Sequence, residues 1–554
     1  MSSPRPRSRP RPAAPLLAAL LGALLALLAP AATARTVDTD PGDGVEVPEL
    51  TWTSCGTTPA GTEAGVQCAT AELPLDYDEP EGDQVRLAVA RVPATDPANR
   101  IGSLFINLGG PSGTIVDVLQ ENGGTIWPTL NQRFDLVGFD PRGVGQSTPA
   151  IDCQVNPEEL GNVSQPFPTP LDLDVDAFVA KHQAYVDACL ANNGDILAHV
   201  STANVARDMD VLRAAVGDEK LSYLGYSYGT FLGATFAALF PDGYRALVLD
   251  SPVDVQQYIS DPLASSTAQT AAFERALHRF FEACAADQVA CSGFGGGQPS
   301  SAYDGLLARA DATPIPAPRY APDPRPVDGD DIRVATTTLL YSKQFWGILA
   351  AALAQAAAGD ASLLRLVTDL SYDRKEDGSY GPGSDQFFTI GAGERQWPRG
   401  DVEVYLDRGS ESWASFPHFW FNTGYTEVSY GLWPVHDEDA YEGPFTVESS
   451  SPTPVVVATT YDPATPYPGA LRTVRELGNA RLVTMQGDGH GAYPGGSACV
   501  RTAVDAYLVD LTLPAAGLVC QQEVPFAAPQ PVPAEVPAVP EPLLDLDARL
   551  AGVR

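Results

Sequence analysis

Leu221-Ser222-Tyr223-Leu224-Gly225-Tyr226-Ser227-Tyr228-Gly229-Thr230-Phe231 sets a serine at the tip of a turn between two kinds of local structure. Residues 221–224 form a short apolar run of strand length, and residues 230–240 can form a helix. A glycine stands two positions before the serine and another two positions after it. That spacing suits a tight strand-to-helix turn, in which small residues must flank an exposed hydroxyl. The hydroxyl then lies at a helix N-terminus, where backbone N–H groups and the helix dipole favour developing negative charge. The pentapeptide alone also fits an ordinary Gly/Ser turn. The strand before it and the helix after it point to a nucleophile elbow.

Similar short apolar runs recur on either side of this stretch, at residues 103–107, 134–139 and 246–250, after an alternating run at 85–92. Helix-like stretches at 174–191 and 202–216 separate some of them. Short buried strands alternating with helices predict a parallel sheet covered on both faces. From 253 to 435 the pattern changes to Ala-rich helical stretches at 268–286 and 345–358, interrupted by Pro-rich (314–326) and Gly/Ser-rich (378–384) segments. Strand character resumes at 454–458 and 480–484. The fold class expected is an α/β-hydrolase, a mostly parallel sheet with helices on both faces and a large, mainly helical lid insertion. The lid belongs over the carboxyl edge of the sheet, where open α/β sheets place their sites. The divisions read from the chain are a signal segment at 1–34, core at 35–253, lid at 254–435, core again at 436–523, and a Pro/Ala-rich tail at 524–554. No internal repeat is visible.

A serine needs a base to act as a nucleophile near neutrality. The chain has six histidines, and in this fold the order is serine, acid, histidine. His490 lies in Gly487-Asp488-Gly489-His490-Gly491, just past the run ending at Thr484, where glycines let the loop fold close. The acid belongs on the loop after the preceding strand, Thr459-Thr460-Tyr461-Asp462-Pro463-Ala464-Thr465-Pro466, whose one carboxylate is Asp462. It would hold the imidazole tautomer and stabilise the imidazolium. Asp488 is the fallback, poorly placed on the histidine loop itself. The Tyr228 N–H is one expected oxyanion donor. The other comes from Ile106-Asn107-Leu108-Gly109-Gly110-Pro111-Ser112-Gly113, with Gly110 preferred over Gly109. Asp140-Pro141-Arg142-Gly143 reads as a loop braced by an Arg–Asp pair, with substrate contact the alternative. His418–Trp420 and Trp346 read as lid core. No metal or organic cofactor is implied.

Arg5, Arg7, Arg9 and Arg11 precede an apolar run and Ala32-Thr33-Ala34, the pattern of a cleaved secretory signal. An uncleaved anchor is the alternative, but the run is short for a span and broken by Pro15. Eight cysteines fit an oxidising compartment. About a hundred pairings are formally open, yet the positions fall into local couples, Cys55/Cys68, Cys153/Cys189, Cys284/Cys291 and Cys499/Cys520, read as structural staples. A net charge of −35 argues against nucleic acid or an anionic membrane as partner.

Taken together, Leu73-Pro74-Leu75-Asp76-Tyr77, the Gly109–Pro111 loop, Asp140-Pro141-Arg142-Gly143, Thr202-Ala203-Asn204-Val205-Ala206-Arg207-Asp208, the Gly225–Gly229 elbow and Asp462-Pro463-Ala464-Thr465-Pro466 have a familiar look. The chain resembles the secreted tripeptidyl aminopeptidases of actinobacteria, relatives of the proline iminopeptidases, from about residue 52 to 520. The resemblance implies release of short peptides, often tripeptides, from substrates with a free N-terminus, and a lid carboxylate holding the substrate ammonium. Two departures stand out. Ser112 follows Gly109-Gly110-Pro111 where the family usually has glycine. A lid pattern Ile-x-Cys-x-Asp and a later Cys-x-x-Trp become Ile390-Gly391-Ala392-Gly393-Glu394 and Tyr430-Gly431-Leu432-Trp433, both cysteines being absent together. Glu394 keeps a carboxylate at the matching place and is the candidate for the ammonium, a solvated lid charge being the other reading. Because lid shape sets specificity, an ester or lipid substrate stays open. A non-catalytic binding protein is disfavoured by the complete triad.

Overall fold

The computed structural model describes residues 45–527, so the expected signal segment and most of the tail lie outside the described residues. The described residues form ten strands: β1 (Thr53–Ser54), β2 (Gln67–Pro74), β3 (Gln84–Val92), β4 (Gly102–Asn107), β5 (Phe134–Phe139), β6 (Leu221–Tyr226), β7 (Tyr244–Asp250), β8 (Val455–Tyr461), β9 (Arg481–Asp488) and β10 (Leu518–Gln521). They form one sheet in the order β1-β2-β3-β5-β4-β6-β7-β8-β9-β10. The β1–β2, β2–β3 and β3–β5 pairs are antiparallel, and every pair from β5 to β10 is parallel.

The chain changes direction across the sheet between β4 and β6. From β4 it steps to β5 on one side, then jumps back over β4 to reach β6. Loops leaving the carboxyl ends of β4 and β6 therefore diverge and leave a crevice at that point. Alternation along the strands splits the interior in two. Phe105, Val137, Tyr223, Leu247 and Val456 pack on one face, whereas Leu104, Ile106, Leu136, Leu224 and Val248 pack on the other. The helix after the elbow, Tyr228–Leu239, is buried along nearly its whole length. This is the α/β-hydrolase architecture.

Between Asp250 and Val455 the regular elements are helices, the last of them ending at Leu432. Helices Pro262–Ala286, Gly329–Leu340, Trp346–Ala357 and Ser362–Ser371 share a core of their own that includes Leu277, Phe280, Leu339, Trp346, Leu349 and Leu364. Phe419 and Trp420 belong to it, and His418 is buried against Glu274 and Asp304. The later helices Gly383–Glu394 and Val402–Ser415 instead send Phe388 and Tyr405 into the core on one face of the sheet.

A segment that precedes the elbow in sequence also joins the insertion. Phe167 stacks on Phe421 with ring centroids 4.0 Å apart, and Phe167 N–H donates to Asp330. Nearby, Arg365 is 2% exposed and lies among Asp323, Asp331, Asp369 and Glu158. The disulfides are Cys55–Cys68, Cys153–Cys189, Cys284–Cys291 and Cys499–Cys520, the four local couples expected.

Candidate active site

Ser227 caps the Tyr228–Leu239 helix with φ 54° and ψ −123°, a backbone conformation that L-residues seldom adopt. The flanking glycines are required by space. A Cβ at Gly225 would lie 2.4 Å from the Gly229 carbonyl oxygen, and one at Gly229 would lie 2.7 Å from Asn107 Oδ1. Ser227 N–H donates to the Asp250 carbonyl at 3.0 Å, which ties the turn to the end of β7. The Tyr228 N–H, first in its helix, has no intrahelical acceptor.

His490 follows β9, and its Nδ1 lies 2.9 and 3.0 Å from the two Asp462 oxygens. Asp462, beyond β8 and 1% exposed, also accepts from the Ala464 and Thr465 N–H groups and from Thr465 Oγ1. Burial pushes the imidazole pKa down, but the charge and hydrogen bond of Asp462 outweigh it, so His490 sits above its ordinary value. His490 Nε2 is buried with no hydrogen-bond partner among the described residues. The acid–imidazole bond is thus formed and the serine–imidazole bond is not, a looseness common before substrate enters.

The imidazole loop is anchored from three sides. The Ala492 and Tyr493 N–H groups donate to the Asp250 carboxylate, and Gly491 N–H donates to Ser251 Oγ. Burial pushes Asp250 up to about 6. On the side of the insertion, His490 N–H donates to the Tyr341 carbonyl at 2.6 Å. The Tyr341 ring meets the imidazole edge-on at 5.8 Å. Asp250, Ser251, Tyr341 and Thr465 were not singled out from sequence.

Gly110 has φ 103°, and a Cβ there would lie 2.2 Å from Ser112 N. The Gly109 N–H is engaged by Asn107 Oδ1 at 2.9 Å, which leaves Gly110 as the better-placed donor of the two. Gly110, Ser227 and Tyr228 line one cavity of about 510 Å³. Arg142 is fully buried, bidentate to Asp208 at 2.6 and 2.8 Å, with three backbone carbonyls around it. It braces its loop and does not face substrate. Its acid partner is Asp208, while Asp140 accepts from Ile115, Val116 and Gln146 N–H. Asp488 pairs with Arg279 and with Lys343 and makes no bond to the imidazole.

Glu394 is set back from the Ser227 cavity. It is 1% exposed, its Oε2 accepts from the N–H and hydroxyl of Thr202, its Oε1 is buried with no hydrogen-bond partner among the described residues, and it is not among the residues lining that cavity. As the last residue of its helix it turns to the core, and the next residue, Arg395, lines the cavity instead. Burial pushes Glu394 up to about 7. The cavity wall carries two other carboxylates, Glu427, paired with Arg408 at 3.2 Å, and Asp254, paired with Arg472, and also Asn162, whose buried Oδ1 has no hydrogen-bond partner among the described residues.

A family model described as "TAP-like protein" matches residues 421–520. The chain is 33% identical over 479 residues to Serine protease Hip1 of Mycobacterium tuberculosis, covering 85% of this chain and 90% of that protein. It is 31% identical over 484 residues to Tripeptidyl aminopeptidase of Streptomyces lividans, covering 84% and 85%. The chain belongs to the tripeptidyl aminopeptidase-like family. It is an enzyme, a serine hydrolase of the peptidase type. Carboxylesterase B of Mycobacterium tuberculosis is 35% identical over 534 residues, 93% of this chain and 99% of that protein. Among solved structures, the proline iminopeptidase of Mycobacterium smegmatis matches at 14% identity over 80% of this chain and 99% of that one, with a TM-score of 0.30. No helix among the described residues is long and apolar enough to cross a membrane.

Proposed function

We propose that this family member is an exported exopeptidase that releases short peptides, tripeptides in the main, from free N-termini through an acyl-enzyme on Ser227. His490 takes the Ser227 proton as the hydroxyl attacks the peptide carbonyl, and returns it to the departing amine. Asp462 holds the tautomer in which Nδ1 carries the proton and stabilises the imidazolium. The N–H groups of Tyr228 and Gly110 receive the oxyanion. Water then repeats the sequence on the ester. The observation that carries this reading is the Asp462–His490 pair at 2.9 Å, taken together with a serine whose strained turn lines a cavity.

The residues between 254 and 435 act as a lid that restricts the site to chain ends. Glu427 shares its charge with Arg408 and Asp254 shares its charge with Arg472, so the unpartnered Asn162 Oδ1 is an acceptor open to the substrate ammonium on the cavity wall. Export is supported by the basic and apolar N-terminal segment and by four disulfides. A second reading, cleavage of esters, is favoured by the relative named Carboxylesterase B.

Ser227→Ala is expected to abolish turnover and fluorophosphonate labelling with the fold intact, and labelling that survives would mean another nucleophile. A tripeptide amide with a free amine, its N-acetyl form and a short-chain ester separate the two readings. Equal cleavage of the free and blocked peptides would count against an aminopeptidase.

A further inference from the structure

A second cavity, of about 460 Å³, lies against the same histidine. Ser227 lines the first cavity and not the second, His490 lines the second and not the first, and Tyr341 lines both. The two therefore adjoin at the catalytic pair, one on the serine side and one on the imidazole side. That division has a chemical meaning. Nδ1 of His490 is held by Asp462, so Nε2 is the nitrogen that must deliver a proton to the leaving amine. Whatever departs has to lie on the imidazole side when the C–N bond breaks.

We propose that this second cavity is the leaving-group subsite, taking the residue that follows the scissile bond and preferring a large apolar or aromatic side chain. The proposal rests on the serine–histidine chemistry of the preceding subsection. Its walls are suited to that occupant. Trp127 and Tyr226 from the core and Phe345 from the insertion supply aromatic surface. The Trp127 indole N–H donates to the Tyr226 hydroxyl at 3.0 Å, so the indole presents its ring to an apolar guest with its one donor already engaged. The charge on the wall, Asp488, is neutralised by Arg279 and Lys343. Leu108, beside the oxyanion loop, continues the surface towards Gly109 and Gly110. The cavity is also braced, because the Tyr341 carbonyl and a bridge between Ser342 and Gly489 fix insertion and imidazole loop to one another.

The test uses acyl transfer, since an acceptor amine must enter through the site a leaving amine vacates. Ser227 is acylated with p-nitrophenyl butyrate, which requires no peptide preference. The acyl-enzyme is then partitioned between water and glycinamide, leucinamide or phenylalaninamide. In the transfer the acceptor nitrogen forms a bond to the ester carbon, His490 takes its proton and passes it to Ser227 Oγ, and the C–O bond breaks. At equal concentration phenylalaninamide is expected to capture roughly tenfold more acyl group than glycinamide, as burying an aromatic ring predicts. Gln344→Trp fills the cavity from the insertion and Ile126→Trp fills it from the core. Each is expected to erase the preference while fluorophosphonate labelling, which expels only fluoride, keeps its wild-type rate. Equal capture of the three amines by the wild type, or a preference that survives both tryptophans, would overturn the proposal. Failure of the peptidase reading looks different, with free tripeptide amides left uncut and the acceptor preference intact.

Discussion

At Gly110 the backbone turns with φ 103°, and any side chain would collide with the Ser112 amide. Gly110→Ala is therefore expected to displace one oxyanion donor and lower kcat about 10²–10³-fold, with little change in KM. A KM-only effect would place the donor elsewhere. Asp462 governs the pH profile. The neutral imidazole is the active form, so kcat/KM rises with pH through the His490 pKa, which Asp462 holds above 6.5. Asp462→Asn removes that support and leaves burial, so the limb is expected to move to lower pH while the plateau falls about 10⁴-fold. A limb that stays in place would show that another group sets it. Ser227, Asp462 and His490 stand out in the sequence because each sits in a short loop after an apolar run, and the structure pairs the last two. Thr465, Ser251 and Asp250 act through contacts that folding creates, such as Gly491 N–H on Ser251 Oγ, and nothing local marks them. Which of Glu394 and Arg395 lines the cavity was not legible, because a helix end turns roughly 100° per residue and sequence does not fix that rotation; the structure puts Arg395 on the wall.

Helices of the insertion are joined through Arg365, whose guanidinium lies 3.0 Å from Asp331 and 3.1 Å from Asp369. Burial pushes Asp369 up to about 7. Arg365→Met leaves those carboxylates without their counter-charge and is expected to cost about 3–5 kcal/mol. Denaturant unfolding measures it, and a loss under about 1 kcal/mol would mean that Arg325 and Arg374 suffice. The parallel strands were legible as apolar runs, β5 to the residue, since strands covered on both faces carry little else. β2, reading Gln67-Cys68-Ala69-Thr70-Ala71-Glu72-Leu73-Pro74, and the four-residue edge strand β10 were not, because partly exposed strands need little apolar surface. Helices such as Gly329–Leu340 and Val402–Ser415 were hidden by polar residues spread round their faces.

Taken whole, the molecule relies on covalent ties as well as its cores. Cys153–Cys189 spans 36 residues and is fully buried, joining the loop after β5 to helix Val175–Asn193. Replacing both by serine is expected to cost about 4 kcal/mol from loop closure. Thermal unfolding of the double variant checks this, and an unchanged Tm would mean that the surrounding packing fixes the loop alone. The four pairings could be read as neighbours in sequence. The joining of residues 157–193 to the insertion could not, since it depends on long-range contacts such as Phe167 on Phe421.

The carbonyl of Tyr341 and the bridge from Ser342 to Gly489 make the insertion part of the scaffold that seats the imidazole. Substrate range in this fold is therefore not a module to be exchanged at will. A chimera receiving a foreign helical segment between β7 and β8 will keep an intact sheet and an intact serine turn. It will be inert unless the graft brings a backbone acceptor to the same spot, and a single strand of borrowed sequence around residue 341 should revive it.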